Sequence, residues 1–252
     1  MKTSMLALAA GFAAISLSAN AAELTVYATG SMELPMHIVG EAFTHATGHT
    51  LKFELGTTGV VLNKLKTGKA DVIVISSEAA ERLEKEGRIV VGTRNDVANS
   101  LLGIGIKKGT KAPNISTPEA FKQAILAARS ISYPDPKLGA TSGVYIEEMF
   151  AKMGIADAAR RKTTVKPVGK AVADAVVSGE IELGLTFMSE FKANDGVTIV
   201  GPFPGNTQNP TLYTAGVASE SANKDAARAF VAYTTSRDQS VLLLRAGVDP
   251  VH

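Results

Sequence analysis

Short apolar runs alternate with helical stretches along most of this chain, and that rhythm leaves few folds open. Residues 23–28 read as a first strand. A helix over 33–47 follows, with Met36, Val39, Phe43 and Ala46 on one face. Gly48 stands where a C-terminal cap belongs. Residues 50–55 read as a second strand, 60–67 as a short helix, and 71–75 as a strand apolar enough for burial on both faces. A helix over 79–86 then stops at Gly87. The order strand, helix, strand, helix, strand predicts an α/β fold with parallel-rich sheets and flanking helices.

The pattern resumes with a strand over 101–107. Thr117 and Pro118 then mark a helix start, as cap and first helical residue. Strands are expected over 130–133, 164–168 and 183–187, with helices over 142–153 and 169–178 between them. Residues 198–201 and 211–218 read as strands returning to the first unit, followed by helices over 223–234 and 238–246. This predicts two lobes joined by two crossovers. Residues 22–108 and 195–252 form one lobe, 109–194 the other, with a ligand cleft between them. A single doubly wound domain is the competing arrangement.

Lys2, the apolar run over 5–17 and the small residues Ala19 and Ala21 predict a signal peptide over 1–21, and hence export to the periplasm. The chain has no cysteine, which removes disulfides and thiolate chemistry, and its four histidines show no zinc-site spacing. No metal or cofactor is expected. A net charge of +2, with 20% charged residues, does not mark a nucleic-acid surface.

Four small-residue turns follow predicted strands: Thr29-Gly30-Ser31, the GTTGV stretch from Gly56 to Val60 with Thr57 and Thr58, the GATSGVY stretch holding Ala140, Thr141, Ser142, Gly143 and Tyr145, and the VGKAV stretch from Val168 to Val172 with Gly169 and Lys170. Each precedes a helix, whose first-turn amides lack internal partners and lie at the positive end of the helix dipole. Hydroxyls and amides converging there hold an anion without a countercharge. Taken singly, each turn also reads as ordinary capping. The glycine-Lys-Ser/Thr ending of a phosphate loop is absent, and Ser31 has no Gly-x-Ser-x-Gly elbow around it.

The stretches LTVYATGSM, LKTGKADVIVIS, YPDPKLGATSGVYIEEMFAKMG and ELGLTFMSE occur in an order and spacing that resemble the periplasmic molybdate-binding family of ABC importers and its relatives. The resemblance implies a two-lobe periplasmic-binding-protein fold of type II, in a monomeric binding protein that takes a molybdate- or tungstate-like oxyanion in its cleft and delivers it to ABC transporter membrane subunits. It places binding residues at Ser31, the Thr57-Thr58 turn, Ala140 and Gly169. A family tyrosine falls on Phe187, which has no hydroxyl. Thr141 and Ser142 add hydroxyls where similar proteins often carry apolar residues or proline. These departures point toward a di- or tricarboxylate.

Similar chains include periplasmic aconitate isomerases, so the resemblance also implies a second activity. Cofactor-free interconversion of cis- and trans-aconitate needs an allylic proton shift, with amides holding the carboxylates and a side chain moving the proton. Glu33, His37, Tyr145, Lys170 and Glu190 lie in or near the turns and are the candidates; the sequence singles out none of them.

Overall fold

The computed structural model describes residues 21–251, so the expected signal peptide lies outside it apart from Ala21. The first half of one lobe follows the predicted rhythm. β1 (Glu23–Thr29), α1 (Glu33–Thr47), β2 (Thr50–Gly56), α2 (Thr58–Lys64), β3 (Val72–Ser76) and α3 (Ser77–Lys85) succeed one another. Met36, Val39 and Phe43 of α1 are buried, and the Phe43 ring meets Phe230 and Tyr233 edge-on at 5.1 and 5.4 Å. The helix ends at Gly48, whose φ of 78° lets its amide reach the Thr44 carbonyl.

The remaining elements are β4 (Asn95–Ser100), β5 (Leu102–Lys107), α4 (Pro118–Ala127), β6 (Ile131–Ser132), α5 (Thr141–Lys152), α6 (Ala156–Arg160) and α7 (Gly169–Ser178). After them come β7 (Leu183–Phe187), α8 (Met188–Lys192), β8 (Val197–Pro202), β9 (Thr211–Val217), α9 (Lys224–Thr234), α10 (Ser240–Arg245) and β10 (Asp249–Pro250). Thr117 caps α4 as expected, accepting from the Ala120 amide at 3.1 Å.

Two mixed sheets result. One is six-stranded, in the order β10-β4-β9-β3-β1-β2, and the other four-stranded, in the order β6-β7-β5-β8. Among the described residues, β1–β2, β1–β3 and β6–β7 run parallel and the other strand pairings antiparallel. The antiparallel share comes from strands that cross between lobes without a helix, which the parallel-rich expectation does not contain. β5 and β8 both belong to the smaller sheet, although the expected boundaries put residues 102–107 and 197–202 in the first lobe. The crossovers therefore lie near Leu101 and between Pro202 and Thr211. The Gln208 side chain ties the two crossovers together. It donates to the Leu102 carbonyl at 2.8 Å and accepts from the Leu102 amide at 3.0 Å. The strand expected over 164–168 is reduced to isolated bridges at Thr163 and Lys166.

Glycines in the smaller sheet seat α8. A Cβ on Gly105 would lie 2.5 Å from the Phe191 ring, and one on Gly184 would lie 3.1 Å from it. The bare backbone thus forms the socket for Phe191, which is buried. That socket fixes α8, and α8 carries Glu190. Gly105→Val is expected to overpack the socket and cost about 1–3 kcal/mol, seen as a lower urea midpoint with an unchanged m-value.

Candidate functional site

β1 and β2 pair in register, with Thr29 opposite Gly56, so the turns that follow them lie side by side. From the other lobe, Pro134, the start of α5 and the start of α7 face them, with Phe187 at the end of β7. Together these segments close around a narrow pocket of about 30 Å³, far below the several hundred Å³ of an open ligand site, so the lobes stand close together over it. Of the residues predicted from sequence, Thr29, Gly30, Ser31, Thr57 and Thr58 line it from one side. Ala140, Thr141, Ser142, Gly169, Phe187 and Glu190 line it from the other. None of the lining residues is Lys, Arg or His. Neither Ala140, before α5, nor Val168, before α7, gives a side-chain cap, so both helix starts present first-turn amides toward the pocket.

The lobes touch directly beside the pocket. The Thr57 hydroxyl donates to the Leu138 carbonyl and accepts from the Val60 amide. Its one proton is therefore engaged in closing the lobes, a latch role distinct from the donor role expected of it. The Gly59 amide donates to the Gly139 carbonyl at 3.3 Å, and the Thr58 and Thr141 hydroxyls lie 3.1 Å apart. The Ser189 hydroxyl of α8 donates to the Ser31 carbonyl at 2.7 Å. A Cβ on Gly59 would stand 2.7 Å from the Leu138 carbonyl oxygen, so only glycine permits this approach.

Glu190 is the one acid in the lining. It is buried, and its carboxyl accepts from the Thr186 hydroxyl and lies beside the amides of Phe187 and Gly169, which favour its charged form. Burial outweighs these donors and, helped by the Glu33 charge, pushes its pKa up to about 7. Tyr213, reaching in from β9, was not foreseen. Its phenol lies beside the Ser31 and Thr29 hydroxyls, and burial raises its pKa. Its ring meets Phe187 edge-on at 6.0 Å, so a tyrosine on a neighbouring sheet stands near the position where Phe187 lacks a hydroxyl. Gly56 and Val168, which open the second and fourth predicted turns, also line the pocket, as does Pro134, which was not singled out. Its only sequence signal is position at a predicted strand end, and Tyr213, mid-strand in β9, has none.

Other candidates lie elsewhere. Lys170 is exposed. The Tyr145 hydroxyl donates to the Thr207 carbonyl at 3.0 Å, outside the pocket lining. Gly143 packs on Pro134, where an added Cβ would fall 1.9 Å from the carbonyl oxygen. His37 is exposed and its ring rests 4.4 Å from that of Phe53. Glu33 is half-buried and acts on the site through its charge on Glu190.

The bacterial extracellular solute-binding protein family matches residues 24–248. The chain belongs to that family. It is a periplasmic substrate-binding protein with a two-lobe fold. It is 32% identical over 238 residues to an aconitate isomerase of Pseudomonas sp, covering 90% of this chain and 88% of that one. It is 27% identical to the molybdate-binding protein ModA of Azotobacter vinelandii, covering 91% of each. Among solved structures, the periplasmic molybdate-binding protein of Azotobacter vinelandii superposes with a TM-score of 0.77 at 19% identity, over 91% of this chain and 100% of that one. The sulfate-binding protein SubI of Mycobacterium tuberculosis superposes with a TM-score of 0.74 at 20% identity, over 91% of this chain and 87% of that one.

The buried acid makes stability depend on pH. The unfolded chain releases this proton near pH 4.5, and the folded chain keeps it to about 7. Between these values the folded state binds more protons, so its stability falls as pH rises, by about 3 kcal/mol from this group. Urea melts at pH 4 and pH 8 should show that loss in the natural protein, and Glu190→Gln should lack it.

Proposed function

We propose that this solute-binding protein captures a small organic carboxylate, of the di- or tricarboxylate class, and closes over it for delivery to ABC transporter membrane subunits. The observation that carries this reading is a cleft lined by hydroxyls and helix-start amides, with no basic side chain and one buried acid. Amides and hydroxyls complement carboxylate oxygens without a cation. The acid opposes a compact tetrahedral dianion, whose charge is fixed and close on every side. A longer carboxylate spreads its charge, with oxygens at the start of α5 and at Ser31, so that only one of its carboxylates meets Glu190. Binding as a monomer completes the proposal.

The test is calorimetric titration and thermal shift of the mature protein with molybdate, sulfate, citrate, tricarballylate and both aconitate isomers. A tricarboxylate or dicarboxylate is expected to raise the melting temperature and bind more tightly than either tetrahedral anion. Molybdate binding with no response to the carboxylates would overturn the proposal. Ser31→Ala is expected to weaken carboxylate binding about 5- to 10-fold, the worth of one neutral hydrogen bond.

A second reading, aconitate isomerisation, is supported by the Pseudomonas relative and by Glu190. An acid with a pKa near 7 is suited to take and return a proton at neutral pH. In this reading ionised Glu190 removes a proton from the methylene carbon of trans-aconitate. The C–H electron pair spreads over the allylic system onto a carboxylate held by the α5 amides. Glu190 then returns the proton to the former vinyl carbon. Chromatography of cis- and trans-aconitate incubated with the protein, without metal or cofactor, tests it. Turnover that falls at least 100-fold in Glu190→Gln is the expected result, and no interconversion would leave capture alone.

A further inference from the structure

Among the helix starts that face the cleft, α7 differs from α5 in being already occupied. Glu190 caps it from inside the pocket. A Cβ on Gly169 would fall 1.9 Å from Glu190 Oε2, and the Gly169 amide lies beside this carboxyl and favours its charged form. The other oxygen, Oε1, lies 3.2 Å from where a Cβ on Gly30 would stand. The carboxyl therefore spans from the α7 start in one lobe to the first turn of the other. An anion filling the pocket has to lie against it.

The groups facing Glu190 do not supply a cation. Thr186 of β7 gives a hydroxyl, and Phe187 and Gly169 give amides. Tyr213 of β9 is a neutral phenol beside Ser31 and Thr29. Glu33 of α1 adds negative charge, and Lys170, next to Gly169 on α7, is exposed. Two anionic oxygens in contact in such a pocket repel strongly, and a proton between them converts the repulsion into a short charge-assisted hydrogen bond.

We propose that Glu190 is the specificity-determining acid of the cleft: an ionised ligand binds with one proton held between its own carboxylate and the Glu190 carboxyl. This rests on the reading of the cleft as a carboxylate site. It predicts that the protein takes up a proton from solution with its ligand whenever Glu190 is ionised beforehand. The raised pKa of Glu190 keeps the cost of that proton small near neutral pH.

The experiment is titration calorimetry of the mature protein with trans-aconitate and with tricarballylate. It is run at pH 8 in Hepes and in Tris, whose ionisation heats differ. The difference in observed heat gives the protons taken up per ligand. About one proton is expected, with affinity falling about tenfold per pH unit between pH 8 and 9. Glu190→Gln should bind with no uptake and a flat pH profile, its folding checked by circular dichroism. Binding by the natural protein without proton uptake overturns the inference and leaves the carboxylate cleft standing. Uptake that persists in a folded Glu190→Gln protein also overturns it. No binding of either tricarboxylate by the natural protein overturns the carboxylate cleft itself, and this inference falls with it.

Discussion

An anion held without a cation has to be balanced by dipoles, and that demand organises this molecule. Backbone amides and hydroxyls are weak partners singly, so several must converge from different directions. Convergence requires strand ends and helix starts from both sheets to meet on one surface. The in-register pairing of β1 with β2 brings two turns to the same level. The four-stranded sheet brings the starts of α5 and α7 opposite them. Neither lobe assembles the site alone, so folding of the lobes and formation of the pocket are linked through the crossovers that Gln208 and Leu102 tie together.

Glu190 runs against this design and is held in place by considerable structure. Its helix is anchored by Phe191 in a socket of bare glycine backbone, and its carboxyl accepts from the Thr186 hydroxyl beside two backbone amides. A buried acid is unfavourable for stability once ionised. A smaller apolar residue would fill the same space at lower cost, which is why we propose a part in ligand binding for this side chain.

Much of the first lobe was legible because its signals are local. The period of Met36, Val39 and Phe43, the cap at Gly48 and the apolar run of β3 each depend on near neighbours. The turns of the site were legible for the same reason, as hydroxyls and glycines at strand ends. Sheet membership was not, because nothing local in LGIGIK tells that it pairs with β7 and β8 rather than with the first sheet. β4 escaped because NDVANS carries little apolar pattern, although its Val97 and Ala98 are buried. Tyr213 and the role of Glu190 depend on contacts more than twenty residues away in sequence, with Ser31, Thr29 and Gly169, and no spacing rule reports those.

Where Gly59 meets Gly139, the two lobes stop against each other backbone to backbone. A stop made of main chain has no rotamers and does not yield by small increments as a side-chain contact does. Lobes that close on a ligand until these glycines meet would stop at one set gap, and every ligand small enough to allow that would leave the same outer shape. A docking partner that reads only that shape would learn that the cleft is properly filled without needing any contact with the cargo itself.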